Sequence, residues 1–157
     1  MAINPNTDFT SGSTLLASQQ NRFPRGIMAL ATSTTTDASV TVEEVELGAI
    51  SFTAVASRYY KITYFEPDIG ISGAGANTLQ MRIRNGTTTA GTLLQLAYQW
   101  IPSSSVDTAG TCVWFGTLTA GTQNIVATAQ QGGAVTFTLN RGTGKAAWLA
   151  VEDIGPA

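Results

Sequence analysis

Histidine is absent from the 157-residue chain, and cysteine occurs once, as Cys112. The first absence removes the commonest general base and metal ligand, and with it every Ser-His or Cys-His nucleophile arrangement. A lone cysteine cannot form an intrachain disulfide, and without histidine it cannot build a zinc site. Charge is scarce as well. Asp, Glu, Lys and Arg make up 11% of the residues, against about 25% in an ordinary soluble domain. With a net charge of -2 there is no basic field to neutralise phosphates, so nucleic acid is not expected as a partner. No stretch approaches the roughly 20 apolar residues of a membrane-spanning helix, so no membrane insertion is expected. Residues 1–25 also lack the basic start and apolar run of a secretory signal.

Threonine, serine, glycine, glutamine and asparagine take the place of the missing charge, so the expected surface is solvated by hydroxyls and amides. From Gly26 onward, short β-type runs alternate with turn residues, the spacing of an all-β sandwich or barrel. Strands are predicted over 26–32, 40–47, 49–55, 59–66, 78–85, 92–100, 111–118, 124–129, 134–139 and 147–152. In TLQMRIRN, Leu79, Met81 and Ile83 alternate with Gln80, Arg82 and Arg84, which marks a strand with one wet face. TLLQLAYQW sets Leu94, Leu96, Tyr98 and Trp100 on one face. AVTFTLN turns Val135, Phe137 and Leu139 inward. Such alternation predicts antiparallel sheets. Cys112, followed by Val113, Trp114 and Phe115, reads as a small core thiol in a buried strand. The predicted fold is an antiparallel β-sandwich, jelly-roll-like, over residues 26–157, preceded by an extended or short-helical arm over residues 1–25.

RYYKITYFE carries aromatics on both faces, because Tyr60, Ile62 and Tyr64 oppose Tyr59, Lys61, Thr63 and Phe65. Tyr59 and Phe65 are therefore candidates for a subunit interface. The arm is too polar to join the core. A short helix over Thr14 to Asn21, capped by Ser11 or Ser13 and stopped before Pro24, needs a surface to lie on. The motifs GTTTAGT and GTLTAGT, at 86–92 and 116–122, are read as recurrent turn chemistry.

Carboxylates remain as candidates for chemistry: Glu43, Glu44 and Glu46 in one strand, Glu66 and Asp68 around Pro67, and Glu152 with Asp153. The expectation is that they are solvated strand charges, not a catalytic pair. The loop EPDIGISGAGANT, with Asp68 and Asn77, reads as a glycine-rich surface tip, with calcium as the alternative there. Its glycines do not match a dinucleotide fingerprint. No catalytic, cofactor or metal residues are expected. Trp100, Trp114 and Trp148 are expected in the core, a carbohydrate-binding platform being the alternative.

Three stretches, DFTSGSTLLASQQNRFPRGIMA, FTAVASRYYKITYFEP and WLAVEDIGPA, resemble small structural proteins of tailed bacteriophages. Phe9, Thr10, Gly12, Leu15, Gln19 and Asn21 match an F-T-x-G-x-x-L-x-x-x-Q-x-N pattern of those relatives, and 151–156 match a V-E-D-I-G-P tail. The resemblance implies a non-enzymatic virion component assembled in the host bacterial cytoplasm. It would be of the minor tail or fibre type, with capsid decoration as the alternative. It further implies attachment through the arm (Phe9, Thr10, Leu15, Leu16, Gln19, Asn21 and Phe23) to tail or major capsid protein, and a homotrimer. Host-surface glycan is a further candidate partner. The chain has no G-X-Y or heptad repeat, so a compact knob is expected in place of a long shaft. Residues 67–77 and 102–110 are the expected outward tips.

Overall fold

Alternating side chains need two sheets to enclose one core, and the chain supplies them. The computed structural model describes residues 11–12, 14, 16–73 and 75–157, and of Gln19 only the backbone. The helix predicted in the arm is one turn, α1 (Ala17–Gln20), closed by Gln20 N donating to Leu16 O. The strands are β1 (Gly26–Ser33), β2 (Asp37–Val40), β3 (Glu44–Ala54), β4 (Arg58–Ile71), β5 (Asn77–Asn85), β6 (Thr92–Ile101), β7 (Thr108–Thr117), β8 (Gly121–Gln131), β9 (Phe137–Leu139) and β10 (Ala147–Pro156).

One sheet runs β1-β10-β4-β7, with β9 following β10 along the same edge of β4 and β2 beside β9. The other runs β3-β8-β5-β6, and every pairing is antiparallel. Leaving the short β2 and β9 aside, the strands in chain order fall first-eighth-third-sixth against second-seventh-fourth-fifth. That is the wrapping of a jelly roll. The inward residues fill the space between the sheets: Tyr60, Ile62 and Tyr64 of β4, Leu79, Met81 and Ile83 of β5, Ile125 of β8, and Leu149 and Val151 of β10 are all fully buried.

Several expectations are corrected by bulges. The two strands predicted on either side of Gly48 are one strand, β3, which absorbs the glycine through register shifts at Val45/Leu47 and Leu47/Ile50. The predicted loop over 67–77 is mostly strand. β4 continues through Pro67 to Ile71, and a register shift between Glu66 and Ile69 on the β7 side accommodates the missing proline N–H. In β6 a shift opposite Ile83/Arg84 changes the phase of the strand. Leu94 and Ala97 therefore pack on the core, while Tyr98 and Trp100 face solvent. β7 is half-buried where a buried strand was expected. Cys112 points inward, its thiol pushed up to about 12 by burial, but Val113 and Phe115 are exposed.

The carboxylates also depart from expectation, since Glu46, Glu66 and Asp153 are buried. Arg141, on the turn between β9 and β10, donates from Nε to Glu66 Oε2 at 3.0 Å and from Nη2 to Glu66 Oε1 at 2.5 Å. The same Nη2 lies 2.8 Å from Glu46 Oε2 on β3. Tyr64 OH adds a bond to Glu66 Oε1 at 2.7 Å. Glu46 Oε1 is left without a hydrogen-bond partner, and burial pushes this carboxyl up to about 7 against the pull of a guanidinium shared with Glu66.

A raised folded-state pKa contributes stability that is full below the unfolded value and is lost as pH rises through the folded one. Unfolding free energy, measured by urea titration, should fall from about pH 4.5 to about pH 7, by on the order of 2–3 kcal/mol from this group. Glu46→Gln should flatten that fall. Equal slopes in the two proteins would show that Glu46 is ionised throughout the window.

Candidate assembly surface and arm anchor

Arg58, the first residue of β4, is in phase with Tyr60 and Ile62 and so points inward, where a lone charge would be costly. Four bonds satisfy it. Nε donates to Asp153 Oδ2 at 2.5 Å and Nη2 to Asp153 Oδ1 at 2.7 Å. Nη1 donates to Asn21 O at 2.5 Å, and Nη2 also donates to Phe23 O at 2.6 Å. A planar fork suits this task, because it holds a carboxylate on one edge and carbonyls on the other. Asp153 is fixed in turn by the N–H of Gly155, whose φ of +122° requires glycine. Ala157 N donates to Ser57 O, pinning the end of the chain beside the same turn. The three stretches that carry the sequence resemblance thus meet at one guanidinium.

Of the arm residues named from sequence, Phe9, Thr10 and Leu15 lie outside the described residues, as does the side chain of Gln19. Leu16 and Phe23 are exposed, and Asn21 and Phe23 serve through their carbonyls. Arg58 is not among the sequence candidates, and Asp153 is named there only as a solvated carboxylate beside Glu152, although the signal for burial is present. Each continues an inward alternation, 58-60-62-64 in β4 and 149-151-153 in β10.

The outer face of the first sheet carries exposed aromatic and aliphatic side chains among threonines and one ion pair. Register places Phe115, Lys61 and Glu152 in one cross-strand row, Val113, Thr63, Ala150 and Leu30 in the next, and Phe65 beside Trp148 in a third. Tyr59 stacks on Phe115 with ring centroids 4.9 Å apart, and Phe65 stacks on Trp148 at 5.6 Å. Both predicted interface residues therefore sit on this face, each paired with an aromatic of an adjacent strand. Phe115 is 53% exposed, Leu30 54% and Ile27 64%. Lys61 Nζ and Glu152 Oε2, 3.0 Å apart, form the ion pair within this surface.

The other two sequence-named residues lie at the far end of β4. At about 3.3 Å per residue, β4 separates the Arg58 anchor from Ile71 by about 40 Å along the strand. Asp68 accepts from Lys145 Nζ at 2.5 Å and from Asn140 Nδ2 at 3.2 Å, which holds its carboxyl below the usual range. It lines a cleft of about 200 Å³ with Asp107, Thr108 and Lys145. Asn77 Oδ1 accepts from Thr78 N at 2.8 Å at the start of β5. Glu66, the nearest further calcium candidate, is committed to Arg141 and Tyr64. Asp37, Glu44 and Glu46 each place one oxygen within 4.8 Å of the others. This is the one group among the described residues spaced to share a cation, and Arg141 already meets part of its charge.

No family model matches the chain, and no curated protein matches it. Among solved structures it is similar to the globular domain of a zebrafish complement 1qA protein, at 11% identity and TM-score 0.43, over 82% of this chain and 96% of that one. It is also similar to a xylan-binding domain from Paenibacillus barcinonensis, at 9% identity and TM-score 0.39, over 87% and 99% of the two chains. Eiger TNF from S. frugiperda gives 12% identity and TM-score 0.38, over 86% and 94%. At such identities the likeness concerns architecture alone.

Arg58→Lys keeps the charge opposite Asp153 but cannot span the carboxylate and both carbonyls. The variant should lose about 1–3 kcal/mol of stability. In limited proteolysis of the folded protein, trypsin should cut faster after Arg22 and Arg25. Unchanged cleavage rates would mean that the arm root is held by other contacts.

Proposed function

We propose that this chain is a non-enzymatic structural component of a tailed-phage virion. It is anchored through residues 1–25, displayed on the particle surface, and assembled as a homotrimer through the outer face of its β1-β10-β4-β7 sheet. The observation that carries the reading is that face itself. Stacked aromatics and aliphatics extend across four strands, whereas soluble monomers rarely expose contiguous apolar surface of that breadth. Interfaces of obligate oligomers have this composition, aromatic and poor in charge. The arm supports the attachment role. Arg58 ties its root to the body at one end of β4, so the segment preceding Asn21 starts from a fixed position while residues 72–73, which follow β4, and the 102–107 turn lie at the opposite end. The phage assignment is supported by the resemblance of the arm and tail motifs, whose backbone and carboxylate groups Arg58 joins.

A tail-associated or fibre-type position suits a body with one anchored end and one free end. Decoration of the head is the other position open to such a body, and location on the particle separates the two. Gold-tagged antibody to this chain should label the tail end of purified particles; labelling over the whole head would assign the decoration role.

Sedimentation equilibrium should give a mass near three chains for the wild type. Phe115→Asp should give a monomer with an unchanged far-UV circular dichroism spectrum, because the ring is exposed within one chain. A wild-type monomer at high concentration would refute the assembly surface. Deleting residues 1–20 leaves the carbonyls of Asn21 and Phe23 in place, so the β-domain should fold while incorporation into particles is lost.

A further inference from the structure

Tyr98 and Trp100 are large aromatic side chains on the outer face of β6, the edge strand of the second sheet, and both point to water, 64% and 57% exposed. Being two residues apart on a strand, they lie on the same face with Cα atoms about 7 Å apart. Register fixes their neighbours. Tyr98 is opposite Gln80, which is opposite Gln130, and Trp100 is opposite Thr78. These three polar side chains are half-buried. An aromatic pair is thus bordered by amides and a hydroxyl across strands spaced about 4.8 Å apart.

The orientation of one amide is set. Arg82 Nη2 donates to Gln80 Oε1, so the Gln80 carbonyl oxygen is engaged and its Nε2 is left to donate outward. The other tryptophans are placed differently. Trp148 stacks on Phe65 within the assembly face. Trp114 packs partly buried against the core, its ring over Gly116, where an added Cβ would lie 2.6 Å from Cζ2.

We infer that Tyr98 and Trp100, with Gln80, Gln130 and Thr78, form a binding platform for neutral pyranose oligosaccharide. Flat apolar rings match the C–H face of a sugar, and neutral amides and hydroxyls match its equatorial hydroxyl groups. Arg82, the nearest cation, is turned to Gln80 and to Glu43, 3.7 Å away, so the platform offers no free charge to select an anionic ligand. This composition differs from that of the assembly face, where the aromatics are bordered by Lys61, Thr111 and Thr32 together with Val113 and Leu30, and not by amides. Its position is apt for an external ligand. Trp100 adjoins Ile101 and the 102–107 turn, at the end of the body remote from the Arg58 anchor. The inference stands on the platform geometry and does not require the virion assignment.

The test uses the full chain with cellohexaose, maltohexaose and α-mannohexaose as probes, followed by tryptophan fluorescence and isothermal titration calorimetry. Saturable binding to at least one probe is expected. Trp100→Ala and Tyr98→Ala should each weaken it about tenfold or more. Gln80→Ala should weaken it less, and Trp148→Ala should leave it unchanged. Absence of saturable binding to all three probes, or binding equally strong in Trp100→Ala, would overturn the inference. So would conversion of the wild-type oligomer to monomer by Trp100→Ala, which would make the platform a contact between copies. Phe115→Asp separates the two readings: a monomer that still binds sugar supports a platform independent of assembly, whereas an intact oligomer that binds none overturns the platform and leaves the assembly surface standing.

Discussion

The ion pairs of Arg141 tie together the parts of this fold that backbone hydrogen bonds leave unlinked. Glu66 belongs to the first sheet, Glu46 to the second, and Arg141 to the turn that returns the chain from β9 to β10. In a sandwich each sheet is held internally by its ladders, while the two sheets meet only through side chains. Apolar contacts between them tolerate sliding more readily than a guanidinium fixed to two carboxylates. One shared cation therefore sets how β3 lies over β4. Because Arg141 also follows Leu139 in the inward phase of β9, it determines where the chain must turn before β10 can pair with β4. The cost is an imbalance. Two buried carboxylates share one cation, and burial, which Arg141 only partly offsets, raises the pKa of Glu46.

Arg58 does for the ends of the chain what Arg141 does for its middle. Both are fork-shaped donors, Arg58 in the inward phase of β4 and Arg141 just past β9, and each joins a carboxylate of another segment. Where a sequence alternates cleanly and then places a charge in the apolar phase, the alternation is not broken; the charge is buried with a partner. Arg58, Glu66, Arg141 and Asp153 all obey this rule. It pairs them more reliably than the general tendency of strand charges to be solvated.

The sandwich, its antiparallel pairing and the inward sets of β4, β5 and β9 were legible because period-two alternation survives along those strands. Legibility failed wherever a bulge intervened, since one extra residue inverts the phase without changing composition. Hence the alternation groups Tyr98 and Trp100 with Leu94, divides β3 at Gly48, and reads Pro67 as loop. The two-sided aromatics of β4 were visible in sequence, but their partners Phe115 and Trp148 were not. Those contacts depend on which strands flank β4, and strand order is a property of the whole topology. Phe115 in particular was obscured by its position beside Cys112 and Trp114, where a continuous apolar run looks like full burial.

The two outer faces, built on the same pleat, differ in what lies beside their aromatics, and that difference bears on what each can hold. On the first sheet the rings stack with one another across strands, and what they leave exposed is a broad surface whose charges are paired, Lys61 with Glu152. A surface of that kind gains most by being covered over its full breadth, which a second protein can do and a small ligand cannot. On the second sheet most of the outer face is occupied by Arg82, Arg84 and Glu43, with Arg84 Nε 2.6 Å from Glu43 Oε1, and Val126 is fully buried on that side. The β3 margin is open too, at Val45, Ser51 and Thr53, but the exposed aromatic rings lie at the β6 margin, bordered by amides. A patch so narrow suits a ligand that brings its own hydroxyls to those amides. The jelly roll thus sets a broad mixed face and a narrow aromatic margin on opposite sides of one core, with the arm root at one end.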